Sequence, residues 1–320
     1  MRNENSAKIV FRDFMKERSM NPELVSWYNI KRSWQAYALL FPILLLLVVF
    51  VYYPPLLGLF RAFYDWNPLR ESVFIGFQNF IKYFQYPETI RQLVNMSKLF
   101  YLGLFTQVVV PFIMAEFIFS IRSRVSKEVY RFLVVIPMLI PSVVFTLMWR
   151  HIYDPVLGPI NALLNSIGLD VLARNWLGDP ATALYAIVFV GFPWVATTNT
   201  LIYLGGLAQI SDSVFDACLL DGCTGFRRVI QIDIPLVLGQ IRLLTILAGI
   251  NGLTSFNSIL ILTMGGPGYS TSVPGFYMYE QAFISGQFGY ASAVGLLLFV
   301  LAMALTLVVN KVIPVSESNG

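Results

Sequence analysis

Side chains able to do chemistry are sparse in this sequence, and both cysteines fall in one charged stretch between residues 210 and 235. That stretch holds Asp216, Cys218, Asp221, Cys223, Arg227, Arg228 and Asp233. Neither the spacing of the two cysteines nor their polar surroundings suggests a metal site or a disulfide. Elsewhere there is one histidine, His151, beside Tyr153 and Asp154. It reads as an ordinary histidine at a helix end. A lone histidine and scattered carboxylates argue against a membrane-embedded enzyme, which needs clustered acid–base groups. The chain has no Gly-x-x-x-x-Gly-Lys-Ser/Thr loop and no Gly-Lys pair, so it encodes no cradle for ATP phosphates.

A second set is polar but uncharged. Asn251, Thr254, Ser255 and Ser258 recur at i, i+3, i+4 and i+7 and so share one face of a helix, with Asn257 off the stripe. Such hydroxyls and amides suit a path for a neutral polyol, which needs hydrogen bonds rather than charge. They equally suit small polar contacts between helices, and both readings stand. Thr197-Thr198-Asn199-Thr200 poses the same choice. Trp194, just before it, favours the pathway, because an indole face stacks well on a sugar ring. Glu116, near the cytoplasmic end of the second span, is a functional candidate as an intramembrane carboxylate, but it lies within two helical turns of Arg122 and Arg124 and is expected to snorkel to the membrane interface.

The elements that position these residues follow from composition. Hydrophobic residues make up 57% of the 320 and charged residues 12%, against roughly 25% charged in soluble domains. Residues 33–60, 99–115, 132–149, 180–210, 243–279 and 281–310 carry no charge at all. A helix crosses a bilayer with about 20 apolar residues. The runs lack the polar–apolar alternation of a membrane barrel. Six membrane-spanning helices are therefore expected, over 36–58, 98–119, 131–150, 182–206, 237–262 and 290–312. Pro42, Pro111, Pro137, Pro141 and Pro193 fall inside them, as bends in a packed bundle or as hinges.

Loop charge sets the orientation. Arg122, Arg124, Lys127 and Arg131 follow the second span, and Arg227 and Arg228 follow the fourth, whereas 265–292 holds no Lys or Arg. Both termini and the two basic loops are expected in the cytoplasm. The net charge of +4 comes largely from those flanks, so nucleic acid is not needed to explain it. The basic start reads as a retained anchor rather than a cleaved leader. The organisation expected is a tail over 1–34, in which Phe11, Phe14 and Met15 suggest a surface helix, a membrane domain over 35–312, and a tail over 313–320.

Locally, Ser213 is expected to cap a helix with Asp216 in its first turn. Gly222 ends that helix in a left-handed conformation. A second short helix starts near Thr224, and Pro235 marks the break before the fifth span. Val214, Phe215, Cys218, Leu219, Phe226, Val229 and Ile230 are too many apolar side chains for so small an element to bury. An exposed apolar patch of this kind suits a protein partner, and it equally suits a seat on the lipid headgroups.

The pattern Asp216-Ala217-Cys218-x-x-Asp221-Gly222-Cys223, followed by Phe226, Ile232 and Pro235, resembles the Glu-Ala-Ala…Gly loop of binding-protein-dependent ABC importer permeases. It departs in Asp216 for Glu, in Cys218 and Cys223 for Ala, and in Ile234 for Leu. The resemblance extends over roughly 35–312. Gly76-Phe77-x-Asn79-Phe80, Arg131…Pro137…Pro141…Trp149-Arg150, Gly158-x-Ile160-Asn161 and 175–180 all fit it. Thr263-x-Gly265-Gly266-Pro267-Gly268…Thr271, then Tyr279-Glu280…Phe283 and Gly289-Tyr290-Ala291, resemble the carbohydrate branch, nearest its maltose- or glycerol-phosphate-type first permease.

The resemblance implies an all-α membrane protein with the type I ABC importer permease fold, in a bacterial inner membrane. It implies a second permease, two ATP-binding subunits that use ATP and magnesium, an external solute-binding protein and a carbohydrate substrate. No cofactor, catalytic residue or metal ligand is implied in this chain. Asp216, Ala217, Cys218, Asp221, Gly222, Phe226 and Pro235 would couple to the ATPase. Trp194, Thr198, Asn251, Thr254, Ser255 and Ser258 would line the pathway. Importers of amino acids, phosphonates or glycerol-phosphate-type solutes are the alternative, and a permease-like regulator that moves nothing is a third reading.

Overall fold

The computed structural model describes residues 34–314. The expected surface helix at Phe11, Phe14 and Met15 lies outside them, as does most of the C-terminal tail. The chain divides into two compact units at residue 58. In the first, helix Trp34–Leu47 runs through a π turn, Val48–Tyr52, into Tyr53–Arg61. Tyr37–Arg61 is long and apolar enough to cross a membrane.

In the second unit, the segment between the first two spans carries secondary structure of its own. Tyr64–Asp65 (β1) pairs antiparallel with Val73–Phe74 (β2), in register Tyr64 with Phe74 and Asp65 with Val73. Helix Gln78–Gln85 follows. Asn79 fastens this cap by donating to the carbonyls of Ala62 at 2.9 Å and Tyr64 at 3.0 Å. The second span begins earlier than expected, because helix runs unbroken from Thr89 to Ser120 apart from a π turn at Phe105–Val109. The sixth, Phe288–Val312, is one helix as expected.

The third, fourth and fifth spans are each broken, where the sequence reading expected single helices over 131–150, 182–206 and 237–262. In the third, helix Arg124–Val135 tightens into a 3-10 turn at Ile136–Leu139 and bends by 90° into Ser142–Ile152. Ile140 precedes Pro141 and is forced extended, with ψ 124°, which ends the helix there. In the fourth, Ala183–Phe189 and Thr197–Leu207 are separated by non-helical backbone. Gly191 and Trp194 adopt φ of 86° and 57° around Pro193, which no helix can accommodate. In the fifth, helix Leu238–Thr254 stops at Ser255–Phe256, and Asn257–Leu262 resumes. Gly275 abuts the Thr254 carbonyl there, so that an added Cβ would lie 2.8 Å from it.

Each break frees backbone carbonyls, which lipid cannot satisfy. Side chains supply the donors. Trp194 Nε1 donates to Val188 O at 2.9 Å, Tyr153 Oη to Ala186 O at 2.8 Å, and Thr197 Oγ1 to Val134 O at 2.6 Å. Two apolar clusters hold the spans together. One joins Ala115, Ile118, Val134, Tyr203, Leu207 and Leu244, and the other joins Met96, Ile187, Ile259, Leu262, Phe276 and Leu298.

Candidate functional site

The 210–235 stretch folds as a helix, a sharp stop and a return helix. The first helix is Asp212–Leu220, and Ser211 rather than Ser213 stands at its N-cap. Ser213 lies inside the first turn, with its hydroxyl 2.9 Å from that of Ser211. Asp216 and Ala217 are exposed. Gly222 has φ 68°, as the sequence requires. The amide of Cys223 bonds Cys218 O at 2.8 Å, and that of Gly222 bonds Leu219 O at 3.1 Å. These two bonds define a Schellman stop, in which the third residue from the helix end packs on the second residue beyond it. Here those residues are Cys218 and Cys223. Both are free thiols, buried, and Cys218 Sγ donates to Cys223 O at 2.7 Å. The contact with Cys223 and then burial push the Cys218 thiol up to about 11. The cysteines are thus the packing pair of a turn.

A second left-handed glycine, Gly225 at φ 56°, starts the return helix, Phe226–Arg228, which passes through a π turn at Val229–Asp233 into Ile234–Leu236. Pro235 is therefore not the break. The preceding π turn accommodates its missing N–H, and the chain bends by 73° only at Val237, into the fifth span. Between the two helices lies a groove of about 410 Å³ lined by Ala217, Cys218, Asp221, Cys223, Arg227 and Gln231 among others. Leu219, Leu220 and Phe226 are 66%, 88% and 78% exposed. Phe215 instead packs inward, 5.8 Å from Phe119 of the second span.

The Glu116 side chain is only 11% exposed, and its partner is Arg228, at 3.3 Å. Sequence periodicity hides this pairing, and it also hides the 2.8 Å contact of Arg228 with Asp233, five residues on. Helical spacing brings together residues three and four apart. Only the π turn brings a pair five apart to one side.

The breaks of the third and fourth spans adjoin one another and enclose a second cavity of about 500 Å³. Trp194 and Thr198 line it, together with Gln107, Ser142, Phe145 and Asn199. Asn199 Nδ2 donates to Gln107 O at 2.6 Å, and the Trp194 ring meets Phe192, Phe189 and Phe105 at 5.0, 5.2 and 6.4 Å. Trp194 and Thr198 thus line one cavity. The stripe on the fifth span does not. The break at Ser255–Phe256 puts Ser258 on a different helix from Asn251 and Thr254. Thr254 turns back to Ile250 O at 2.9 Å, and none of the four lines the cavity. Gln107 was missed, although it is the one amide in the run 99–115. Among the described residues no group of three His, Cys, Asp or Glu could hold a metal.

Apolar helices of spanning length, interrupted where polar side chains and unwound backbone line a cavity, define a membrane transport subunit. Residues 107–314 match the family described as the binding-protein-dependent transport system inner membrane component, and the chain belongs to it. A probable ABC transporter permease protein, YurN of Bacillus subtilis, is 30% identical over 86% of this chain and 94% of its own length. The trehalose/maltose transport system permease protein MalF of Thermococcus litoralis is 28% identical over 92% of this chain and 98% of its own. Among solved structures, a chain of a bacterial ABC transporter involved in import of the acidic polysaccharide alginate superposes with a TM-score of 0.79. It is 26% identical and covers 89% of this chain and 97% of that one. The protein is accordingly a type I ABC permease, a transport subunit and not an enzyme.

Proposed function

We propose that this chain is the sugar-conducting permease of an ATP-driven importer in a bacterial inner membrane, with both termini in the cytoplasm. The 212–236 segment is the surface on which an ATP-binding subunit docks. The observation that carries this reading is the exposure of Leu219, Leu220 and Phe226 beside a rigid glycine stop. Apolar side chains on a short polar loop gain about 1.5–3 kcal/mol each when a partner covers them. Asp216, Ala217, Asp221, Gly222 and Pro235 are exposed about that surface, while the buried Cys218 shapes it from within. ATP and magnesium are used by the partner, and the chain itself holds no cofactor.

The sugar assignment is supported by relatives named for trehalose and maltose, for diacetylchitobiose and for multiple sugars. The cavity between Trp194, Thr198, Gln107 and Asn199 offers an aromatic face and amides, the groups a polyol needs, and no charge. Asn251 and Ser255 are exposed and belong to the pathway only where it passes the fifth span. A second permease completes the pathway, and an external solute-binding protein delivers the sugar. A relative's complex with an alginate pentasaccharide-bound periplasmic protein supports that arrangement. Hydrolysis then shifts the bundle between inward- and outward-open states for which the docked ATPase has different affinities.

The test is uptake of labelled mono- and oligosaccharides by cells in which the chain is deleted and then restored. Loss and recovery of one carbohydrate is expected. Recovery of an amino acid, phosphonate or glycerol phosphate instead would replace the sugar reading with the non-sugar one.

A further inference from the structure

Arg228 ties three elements together. Its Nε lies 2.8 Å from Asp233 Oδ2, and its Nη2 lies 3.3 Å from Glu116 Oε2 and 3.4 Å from Ser120 Oγ. Its guanidinium also rests 5.6 Å from the ring of Phe215 and 5.8 Å from that of Phe119. Phe215 belongs to the first helix of the loop, and Arg228 and Asp233 to the return helix that leads into the fifth span. Glu116, Phe119 and Ser120 form the last turns of the second span. One side chain therefore spans the loop and the bases of two membrane helices, while Leu219, Leu220 and Phe226 of the same loop stand in solvent.

Its charge balance is unusual. Two carboxylates meet one guanidinium, and the Asp233 side chain is wholly buried while that of Glu116 is 11% exposed. Asp233 Oδ1 and Glu116 Oε1 have no hydrogen-bond partner. A buried ion pair is often no more stable than the apolar residues that would replace it, and an unmatched buried charge is costly. Stability alone therefore gives no reason for the surplus carboxylate. A joint that moves gives one. With two carboxylates in reach, Arg228 can lengthen its contact to one and keep the other as counterion throughout a displacement.

We propose that Arg228 is the positioning residue that carries displacement of the 212–236 loop to the second span, with Asp233 as its near anchor and Glu116 as its far one. The proposal rests on the docking reading above. Glu116→Gln separates a moving link from a merely structural one. It removes the surplus charge and leaves a balanced Arg228–Asp233 pair, so the fold is kept or strengthened while the ionic tie to the second span is lost and only the contacts with Ser120 and Phe119 remain.

The experiment uses the chain assembled with its ATPase and partner permease in lipid nanodiscs, and it follows amide hydrogen exchange with and without ATP and vanadate. In the wild type, ATP is expected to change exchange in both 212–236 and 112–120. In E116Q, ATPase capture and the change at 212–236 persist, while the change at 112–120 falls about tenfold, a usual size for a coupling between sites. Arg228→Lys keeps every charge but loses the forked geometry, and it is expected to fall between the two. It carries the test alone if E116Q fails to assemble. An ATP response of wild-type size at 112–120 in an assembled variant would overturn the proposal. A wild-type chain that captures no ATPase would instead remove the docking reading, and this one with it.

Discussion

Replacing Gly222 separates backbone conformation from bulk at the proposed dock. The residue sits at φ 68°, and a Cβ built there meets nothing within 4 Å. Gly222→Ala therefore costs only the left-handed penalty, about 1–2 kcal/mol. The loop can relieve that penalty by leaving the Schellman geometry, which lowers the fraction of chains able to dock. Apparent affinity falls by the same fraction, so capture of the ATPase should weaken about 5- to 30-fold, since 1.4 kcal/mol is tenfold. Gly222→Asn, which tolerates the left-handed region, should stay within a few-fold of wild type. Gly222→Arg carries the same backbone penalty and adds a long side chain in the open space that the partner would fill, so capture should be abolished while membrane insertion persists. The assay is titration of detergent-solubilised chain with purified ATPase, with insertion scored separately by membrane extraction. If Asn binds as poorly as Ala, or if Arg binds normally, the argument from backbone conformation is wrong.

Two further outcomes follow from burial and contact. Phe226 is 78% exposed, so Phe226→Ala should leave thermal stability of the isolated chain unchanged yet weaken ATPase capture by about 2 kcal/mol, as expected of an aromatic anchor; equal losses in both measurements would count against docking. At Gly289 an added methyl would overlap the carbonyl of Tyr64 and lie 2.9 Å from the amide of Trp66. Gly289→Ala should thus separate the β1–β2 cap from the sixth span and destabilise by about 1–3 kcal/mol, read as a lower melting temperature. An unchanged melt would show that the cap yields freely.

What could be read from the sequence divides along physical lines. Run length and charge located the long apolar helices Tyr37–Arg61, Thr89–Ser120 and Phe288–Val312, because the cost of burying charge in lipid acts on composition alone. Gly222 was legible because only glycine enters the left-handed region without strain, and that residue predicted the stop on which the loop depends. The interruptions were not legible, although Pro137, Pro141 and Pro193 were in plain view. A proline in a membrane helix bends it or breaks it according to which neighbours satisfy the freed carbonyls, and those neighbours, Tyr153, Trp194 and Thr197, are set by tertiary contacts. Ser255–Phe256 carries no local signal at all, since its break answers to the approach of Gly275. The same blindness scattered the stripe from Asn251 to Ser258, which presumed one continuous helix. Arg228 and Asp233 escaped because a π turn pairs residues at a spacing that helical periodicity does not contain.

The solvent-exposed trio Leu219, Leu220 and Phe226 also bears on how many copies of this chain a cell keeps. A permease inserted without its ATPase would display that patch to the aqueous phase at the end of the nine-residue helix Asp212–Leu220. Uncovered apolar side chains are what proteolytic quality control recognises. On the docking reading, occupancy by the ATPase hides the degradation signal, so an unpaired permease is short-lived and a paired one persists. The ratio of the two subunits would then be set after synthesis, by survival, without matched translation.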